Sequence, residues 1–410
     1  MDKLGERSHK TMHWRALVYL LAVIQMGAGS IIIGVLSFIP LFIQDLGVAD
    51  QGAAATWAGL VAGVTPLMVA LSAPFWSRKA HQYGPKPIMM GILITLGLAT
   101  FAAAFAQSPG QLLVCRTIQG LVGGYVPIGL LIITWMVPED HVDWAMGTYQ
   151  ASLVMGLVMG PLMGGLVADH FGYRAPFVFF ALVAGLCLLA LWAFLPSIPG
   201  KGKQEETNST LGNLKYFLGI KRVRLLVFMQ FLCNFGLTGI GPILPLYIKN
   251  YMSVDPNLIA TIVGLIIFSA GIASAIASFN VGRISQRFPR RSILMVATLG
   301  VGFTFILQYL MWNIWGLGFF RALTGIFMGL VMPVANVLIG QAVIPDKRGL
   351  VFGAVSSVVM MGNVVGPFAS GLIANIFGYS AVFWTTALAF FAACYLISRQ
   401  DKETSNHANA

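Results

Sequence analysis

The sequence predicts an all-α integral membrane protein in which twelve transmembrane helices form two six-helix pseudo-repeats. Three observations carry this expectation. The chain of 410 residues is 57% hydrophobic and only 10% charged, with a mean hydropathy of +0.81, whereas soluble domains carry about 25% charged residues. Apolar runs of roughly 20 residues, long enough to cross a hydrocarbon core about 30 Å thick, recur along nearly the whole chain. Finally, "GPLMGGLVADHFGYRAPF" from Gly160 returns as "GPFASGLIANIFGYSAVF" from Gly366, with ten of eighteen positions identical.

Taken in order, the spans fall at about 15–42, 55–76, 88–107, 111–136, 146–168, 175–196, 223–248, 257–280, 292–311, 314–343, 349–376 and 379–398. The first is longer than the 7–15-residue apolar stretch of a secretory signal and ends in "FIPLFIQDLG" rather than at a small-residue cleavage site, so it is expected to remain in the mature protein. One long polar interruption, "PSIPGKGKQEETNSTLGNLKYFLGIKRVR", reads as a flexible linker over 199–222 with a short amphipathic tail suited to a membrane surface. It separates a six-helix bundle over 1–198 from a second over 223–410. Cys115, Cys187, Cys233 and Cys394 all lie in spans without a CxxC pair. They read as small hydrophobes, and neither a disulfide framework nor a metal or other cofactor is expected.

The net charge of +11 is distributed as a membrane protein distributes it, which argues against a nucleic-acid partner. With alternating spans, 21 of the 25 Lys and Arg residues fall on the side that holds both termini, including Lys3, Arg7, Lys10 and Arg15 before and at the first span. Arg174 and Lys249 fall on the other side, and Arg116 and Arg321 lie within spans. Such asymmetry places both termini in the cytoplasm of a multi-pass cell-membrane protein. The expected partners are the lipid bilayer and a small amphiphilic substrate, and the expected assembly is a monomer.

The internal repeat extends beyond the opening pair. "IPLFIQDLG" around Pro40 matches "LPLYIKNYM" around Pro245, "SRKAHQYGPK" from Ser77 matches "GRISQRFPRR" from Gly282, and "CRTIQG" from Cys115 matches "FRALTG" from Phe320. Parallel six-span repeats fold as two facing bundles with a substrate site near the bilayer midplane. On these residues the chain resembles a twelve-span transporter of the major facilitator superfamily, in its drug:proton antiporter branch. "RTIQGLVGG" at 116–124 resembles that family's fourth-span motif, and "GLVMGPLMGG" at 156–165 its antiporter-associated fifth-span motif. "APFW", "GGYVP" and "GPILPLYI" are most similar to multidrug exporters associated with quinolone and fosfomycin resistance.

Small residues four apart let helix backbones approach closely in lipid, and a proline in a helix removes one hydrogen bond and favours a kink. Gly156, Gly160, Pro161, Gly164 and Gly165 therefore predict a tightly packed, bent fifth span. Gly362, Gly366, Pro367 and Gly371 predict the same in the eleventh. These residues are either packing sites alone or also the elements that close the extracellular half of the cavity and rock during transport. The loop between spans two and three departs from the family pattern: Ser77, His81, Gly84, Pro85 and Lys86 stand there without the usual Asp, and Gln286 occupies the repeat position. The resemblance implies a weakened cytoplasmic latch, with His81 either a solvated histidine or a pH-dependent contact.

All fourteen acids fall in termini, loops or span ends, among them Asp45, Asp143 and Asp169, and no histidine lies mid-membrane. Proton-coupled transporters commonly use a protonatable side chain in the pathway, so the proton, the coupling ion implied by the resemblance, has no evident carrier. Arg116 and Arg321 form a pair 205 residues apart. An arginine at a helix centre costs about 2.5–3.5 kcal/mol, so each either snorkels to the interface or caps a helix end, or, with Gln119 one turn from Arg116, presents positive potential to the cavity. Gln25 and Gln230 form another pair, in spans the family uses to line its cavity, and Asn234 and Asn336 add amides that either contact substrate or pair between helices. A lipophilic cation in a low-dielectric cavity requires a carboxylate or an aromatic face. Neutral, zwitterionic or anionic substrates are therefore expected over permanent cations. The sequence thus predicts a transporter and not an enzyme, exporting amphiphilic compounds by alternating access. An organic-anion importer or uncoupled facilitator on the same fold remains the alternative.

Overall fold

The computed structural model describes residues 13–202, 221–343 and 348–408. The basic N-terminal residues Lys3, Arg7 and Lys10, most of the linker with its amphipathic tail, and Lys347 lie outside the described residues. Helices make up the described chain, with no strand among the described residues. Among the described residues eleven helical segments are long and apolar enough to cross a membrane, and a bent pair supplies the twelfth span.

Span one consists of α1 (Trp14–Ile33), a 3-10 turn (Gly34–Ser37) and α2 (Ile39–Asp45). It is followed by α3 (Gln51–Tyr83), α4 (Pro85–Ala103), α5 (Pro109–Leu121), α6 (Tyr125–Met136), α7 (Val142–Phe171) and α8 (Ala175–Phe194). The second half comprises α9 (Lys221–Gly239), α10 (Leu244–Tyr251), α11 (Ile259–Arg287), α12 (Arg290–Leu310), α13 (Ile314–Ala342), α14 (Arg348–Phe377) and α15 (Tyr379–Ala408). Local chemistry sets the ends. Asp50, Ser108 and Asn313 accept from the first-turn N–H groups of Ala53, Gln111 and Gly316, which satisfies donors that a helix start leaves unpaired. Gly172 and Gly378, at φ +84 and +81, terminate α7 and α14, where L-residues with a side chain are strained.

Duplication is visible in the helix breaks. Span one breaks at Gly34–Ser37, and at the corresponding place α9 meets α10 at 49°. The fourth span also breaks, between α5 and α6, whereas its counterpart α13 is continuous. "APFW" and "GGYVP" meet at this extra break: Trp76 donates its indole N–H to Leu121 O at 2.6 Å. A Cβ on Gly124 would lie 2.3 Å from the Trp76 side chain.

The fifth-span glycines divide into two stripes. Gly156, Gly160 and Gly164 lie against the backbone of span one at Met26, Ser30 and Gly34, where an added Cβ would come within 2.3, 2.8 and 2.1 Å of a carbonyl oxygen. Gly165 and Pro161 face the other half instead: a Cβ on Gly165 would meet Ala260 O at 2.2 Å, and one on Gly264 would meet Pro161 O at 2.5 Å. The second copy repeats this division. Gly362 and Gly366 lie against Phe231 and Phe235 of α9, while Gly371 and Pro367 lie against Ala55 and Gly59 of α3. Helix α7 continues through Pro161 without interruption.

These cross-half contacts all sit on the face away from the termini. There Lys249 Nζ donates to Gln44 Oε1 at 2.7 Å, Gln51 Nε2 to Asn250 Oδ1 at 3.0 Å, and Tyr379 Oη to Gln51 O at 3.3 Å. Followed toward the terminal face, the same helix stripes emerge from burial. On α3, Gly59 and Gly63 are buried but Ala70 and Pro74 are exposed; on α7, Val158 is buried but Val154 and Ala151 are exposed. On α14, Val364 gives way to exposed Met360, and on α11, Gly264 gives way to Phe279. The two halves are closed together on one face and diverge toward the face that carries Trp14 and Ser398.

The two glycine stripes should respond differently to a methyl group. Gly160→Ala, inside one half, is expected to lower the melting temperature through overpacking worth about 1–3 kcal/mol. Gly59→Ala or Gly165→Ala should instead shift the protein toward the state open on the opposite face, read as faster labelling of a cysteine placed at Thr56 by an impermeant maleimide.

Candidate transport cavity and its buried polar network

The second-half wall of the cleft carries a polar patch on α9 and α13. Gln230 Nε2 donates to Asn336 Oδ1 at 2.8 Å, and Asn234, one turn along α9, is half-buried and donates to Gln230 O. Asn336 is exposed. Phe228, Phe231 and Phe235 run along the same helix with ring centroids 6.2 Å apart at each step. The patch therefore combines amide donors and acceptors with aromatic surface.

The matching position in the first half is different. Gln25 is fully buried, and neither of its amide atoms has a partner. The repeat explains why: the residue 205 positions before Asn336 is Leu131, so the first half lacks the amide that satisfies Gln230.

Both arginines sit inside their halves, 1% and 3% exposed, without reaching the interface as snorkelling would require. Arg116 Nη2 donates to Ile32 O at 2.9 Å, and Arg321 Nη2 donates to Leu237 O at 3.2 Å. Ile32 and Leu237 are themselves 205 residues apart, each at the end of the helix that precedes a break. A break frees carbonyls that no water can satisfy in lipid, and a cation is favoured at a helix C-terminus. The arginines hold the broken ends of spans one and seven.

Their second contacts differ. Arg116 Nη1 donates to Gln119 Oε1 at 2.8 Å, and Gln119 in turn donates to Thr100 Oγ1. At the repeat position of Gln119 stands Thr324, which accepts from Gln308 Nε2 and has both Phe320 O and Thr304 Oγ1 within reach of its one hydroxyl proton. Arg321 is consequently left with Nε and Nη1 unpartnered, its guanidinium 5.8 Å from the Phe305 ring centroid. Thr100, Thr304, Gln308 and Thr324 were not singled out from sequence, although a glutamine in the apolar ninth span was a visible signal.

The loop residues act within one half. Lys86 Nζ donates to Trp192 O at 3.0 Å and to Leu195 O, and Arg291, 205 residues later, donates to Ile397 O and Ser398 O. Each cation closes the C-terminal end of the last span in its half. Gly84, at φ +97, lets Ile198 O approach to where a Cβ would stand 2.5 Å away. His81 Nδ1 lies 3.2 Å from Gly202 O, its ring edge-on to Trp135. These residues pin the start of the linker to the first bundle.

No cluster that could hold a metal occurs among the described residues. A cavity of about 310 Å³ between α4 and α8, lined by apolar residues such as Leu93, Phe101 and Leu182, has exposed Leu98 and Leu182 at its rim and lies apart from the polar patch.

Two six-span bundles, closed on one face and parted on the other around a polar patch, define a membrane transporter. The chain belongs to the Major Facilitator Superfamily, whose model matches residues 16–227 and again 226–410. It is 30% identical over 389 residues to multidrug resistance protein MdtG of Proteus mirabilis, covering 93% of this chain and 95% of that protein. It is 31% identical over 368 residues to MdtG of Salmonella typhimurium, covering 88% and 89%. Among solved structures it is similar to a bacterial homolog of the human lysosomal transporter Spinster in an inward-facing and occupied conformation, with a TM-score of 0.79 at 15% identity over 97% of this chain and 98% of that one. The human organic anion transporter MFSD10 follows with a TM-score of 0.63 at 19% identity, over 94% and 100%. At these identities the structures share the fold. The protein is a transporter and not an enzyme.

The orphaned amide of Gln25 gives a sharp stability test. Gln25→Met is expected to leave the melting temperature unchanged or raise it, because an unsatisfied buried polar group costs about 1–3 kcal/mol. Arg116→Ala should lower it markedly by stranding Ile32 O and Gln119.

Proposed function

We propose that this transporter exports amphiphilic compounds across the cell membrane by alternating access, exchanging them for protons, with the terminal face in the cytoplasm. The observation that carries this reading is a cleft open toward the face on which the basic residues concentrate, with amides and an under-partnered arginine in its half and no carboxylate in the span interiors. The 30% identity to MdtG proteins supports efflux of several compounds. Orientation rests on the positive-inside distribution.

The amides Gln230, Asn234 and Asn336 bind the polar part of the substrate, and the α9 phenylalanines its apolar part. Arg321 favours groups that accept hydrogen bonds and disfavours a permanent cation, since a buried guanidinium raises the local potential and no carboxylate offsets it. Substrates are accordingly neutral, zwitterionic or anionic. The missing intramembrane acid favours one second reading, movement of an organic anion without proton exchange.

The test is to reconstitute the protein in liposomes enclosing a pH-sensitive dye, impose a proton gradient, and add a fluoroquinolone, fosfomycin and a quaternary ammonium dye separately. Proton flux is expected with the first two and not with the third. In Arg321→Gln the flux should fall several-fold, because removing the buried charge removes the positive potential that favours these substrates. Transport without proton movement would select the second reading.

A further inference from the structure

Two of the cross-half hydrogen bonds seen among the described residues involve an ion that no other part of the transport scheme uses. Asp169, near the end of α7, accepts the N–H of Ala260 at 3.3 Å through Oδ1 and the N–H of Thr261 at 2.6 Å through Oδ2. These are first-turn donors of α11, a 29-residue helix whose own N-cap residue, Leu258, supplies no side-chain acceptor. The carboxylate of one half thus caps a helix of the other. An anion at a helix N-terminus gains from the aligned dipoles as well as from the bonds themselves. At the repeat position, 206 residues later, stands neutral Asn375, exposed beside Gly52. The charged clasp therefore exists on one of the two cross-half seams.

Geometry ties this clasp to the conformational state. Ala260 also receives Gly165, and Pro161 lies under Gly264, so the seam around Asp169 has no slack between backbones. Parting α7 from α11 breaks both bonds together. We infer that Asp169 is the positioning residue that seals the face opposite the termini while ionised, and that proton uptake there releases α11 and biases the transporter toward opening on that face. A protonated carboxyl keeps a weaker, neutral acceptor and loses the attraction to the helix terminus. Closure is complete where the carboxylate is ionised and is lost as pH falls. In the orientation proposed above, external acid favours the outward-open state, from which a proton can be taken inward.

The surrounding groups are few. Tyr173 lies one turn beyond, its phenol pushed upward by burial and then by the Asp169 and Asp45 carboxylates. His170 is exposed, with Nδ1 at 2.9 Å from Leu166 O, and Arg174 donates to Ala106 O. Asp255, on the turn before α11, already caps Asn257, and Lys249 is held by Gln44. Asp169 alone among them joins two helices of different halves through backbone donors.

The inference does not depend on which substrate is carried, so its test uses conformation instead of transport. In full-length protein in nanodiscs, with the four native cysteines replaced, spin labels at the exposed positions Phe105→Cys and Trp312→Cys would report the separation of the halves on the opposite face. Lowering pH from about 7 to about 3, through the ordinary aspartate value of about 3.9, should increase the long-distance population. Asp169→Asn should raise that population about tenfold at the higher pH and abolish the pH response, while Asp169→Glu should restore it. Distance distributions in Asp169→Asn that superimpose on the parent at every pH would overturn the inference. So would a pH response that survives in Asp169→Asn but vanishes in His170→Gln or Asp45→Asn. If Asp169→Asn fails to insert, the parent series decides, since no response across the carboxylate range overturns the inference equally.

Discussion

Backbone groups that leave a helix inside lipid must find partners within the protein, and the structure is organised around that requirement. Spans one and seven both break within the membrane-spanning run, and each break is held by an arginine that reaches from the fourth or tenth span to a carbonyl at the broken end. The arginine makes the irregular backbone tolerable. Lys86 and Arg291 repeat the device at the termini of spans six and twelve. Each of these four cations is thus aimed at main-chain carbonyls.

Close approach of backbones is the second constraint. The glycine motif serves two neighbours at once, with one stripe locking span five to span one and the other meeting span eight of the opposite bundle. The first stripe lies within one half and the second on the contact between the halves. A single proline-containing helix combines both.

Much of this was legible in the sequence. Hydropathy and the repeat gave twelve spans, and the constant offset gave the pairing of Arg116 with Arg321 and of Gln25 with Gln230. The partners of those residues were not legible. Backbone carbonyls such as Ile32 O carry no sequence signature, so the capping role of the arginines could be stated only as one of two alternatives. Departures from the repeat proved more informative than the repeat itself: Leu131 opposite Asn336 leaves Gln25 unsatisfied, and Thr324 opposite Gln119 leaves Arg321 short of an acceptor. The contacts of the loop motif were no more legible, since His81, Gly84 and Lys86 meet main-chain carbonyls of the linker and of span six.

The bond between Gln44 and Lys249 joins residues that the repeat places in equivalent positions. It therefore lies on the pseudo-two-fold axis, where an isologous interface would set a residue against its own copy. Two copies of the first half would meet there glutamine to glutamine, which amides tolerate, whereas two copies of the second would oppose lysine to lysine. The ammonium-to-amide pairing seen here is available only where the two halves differ.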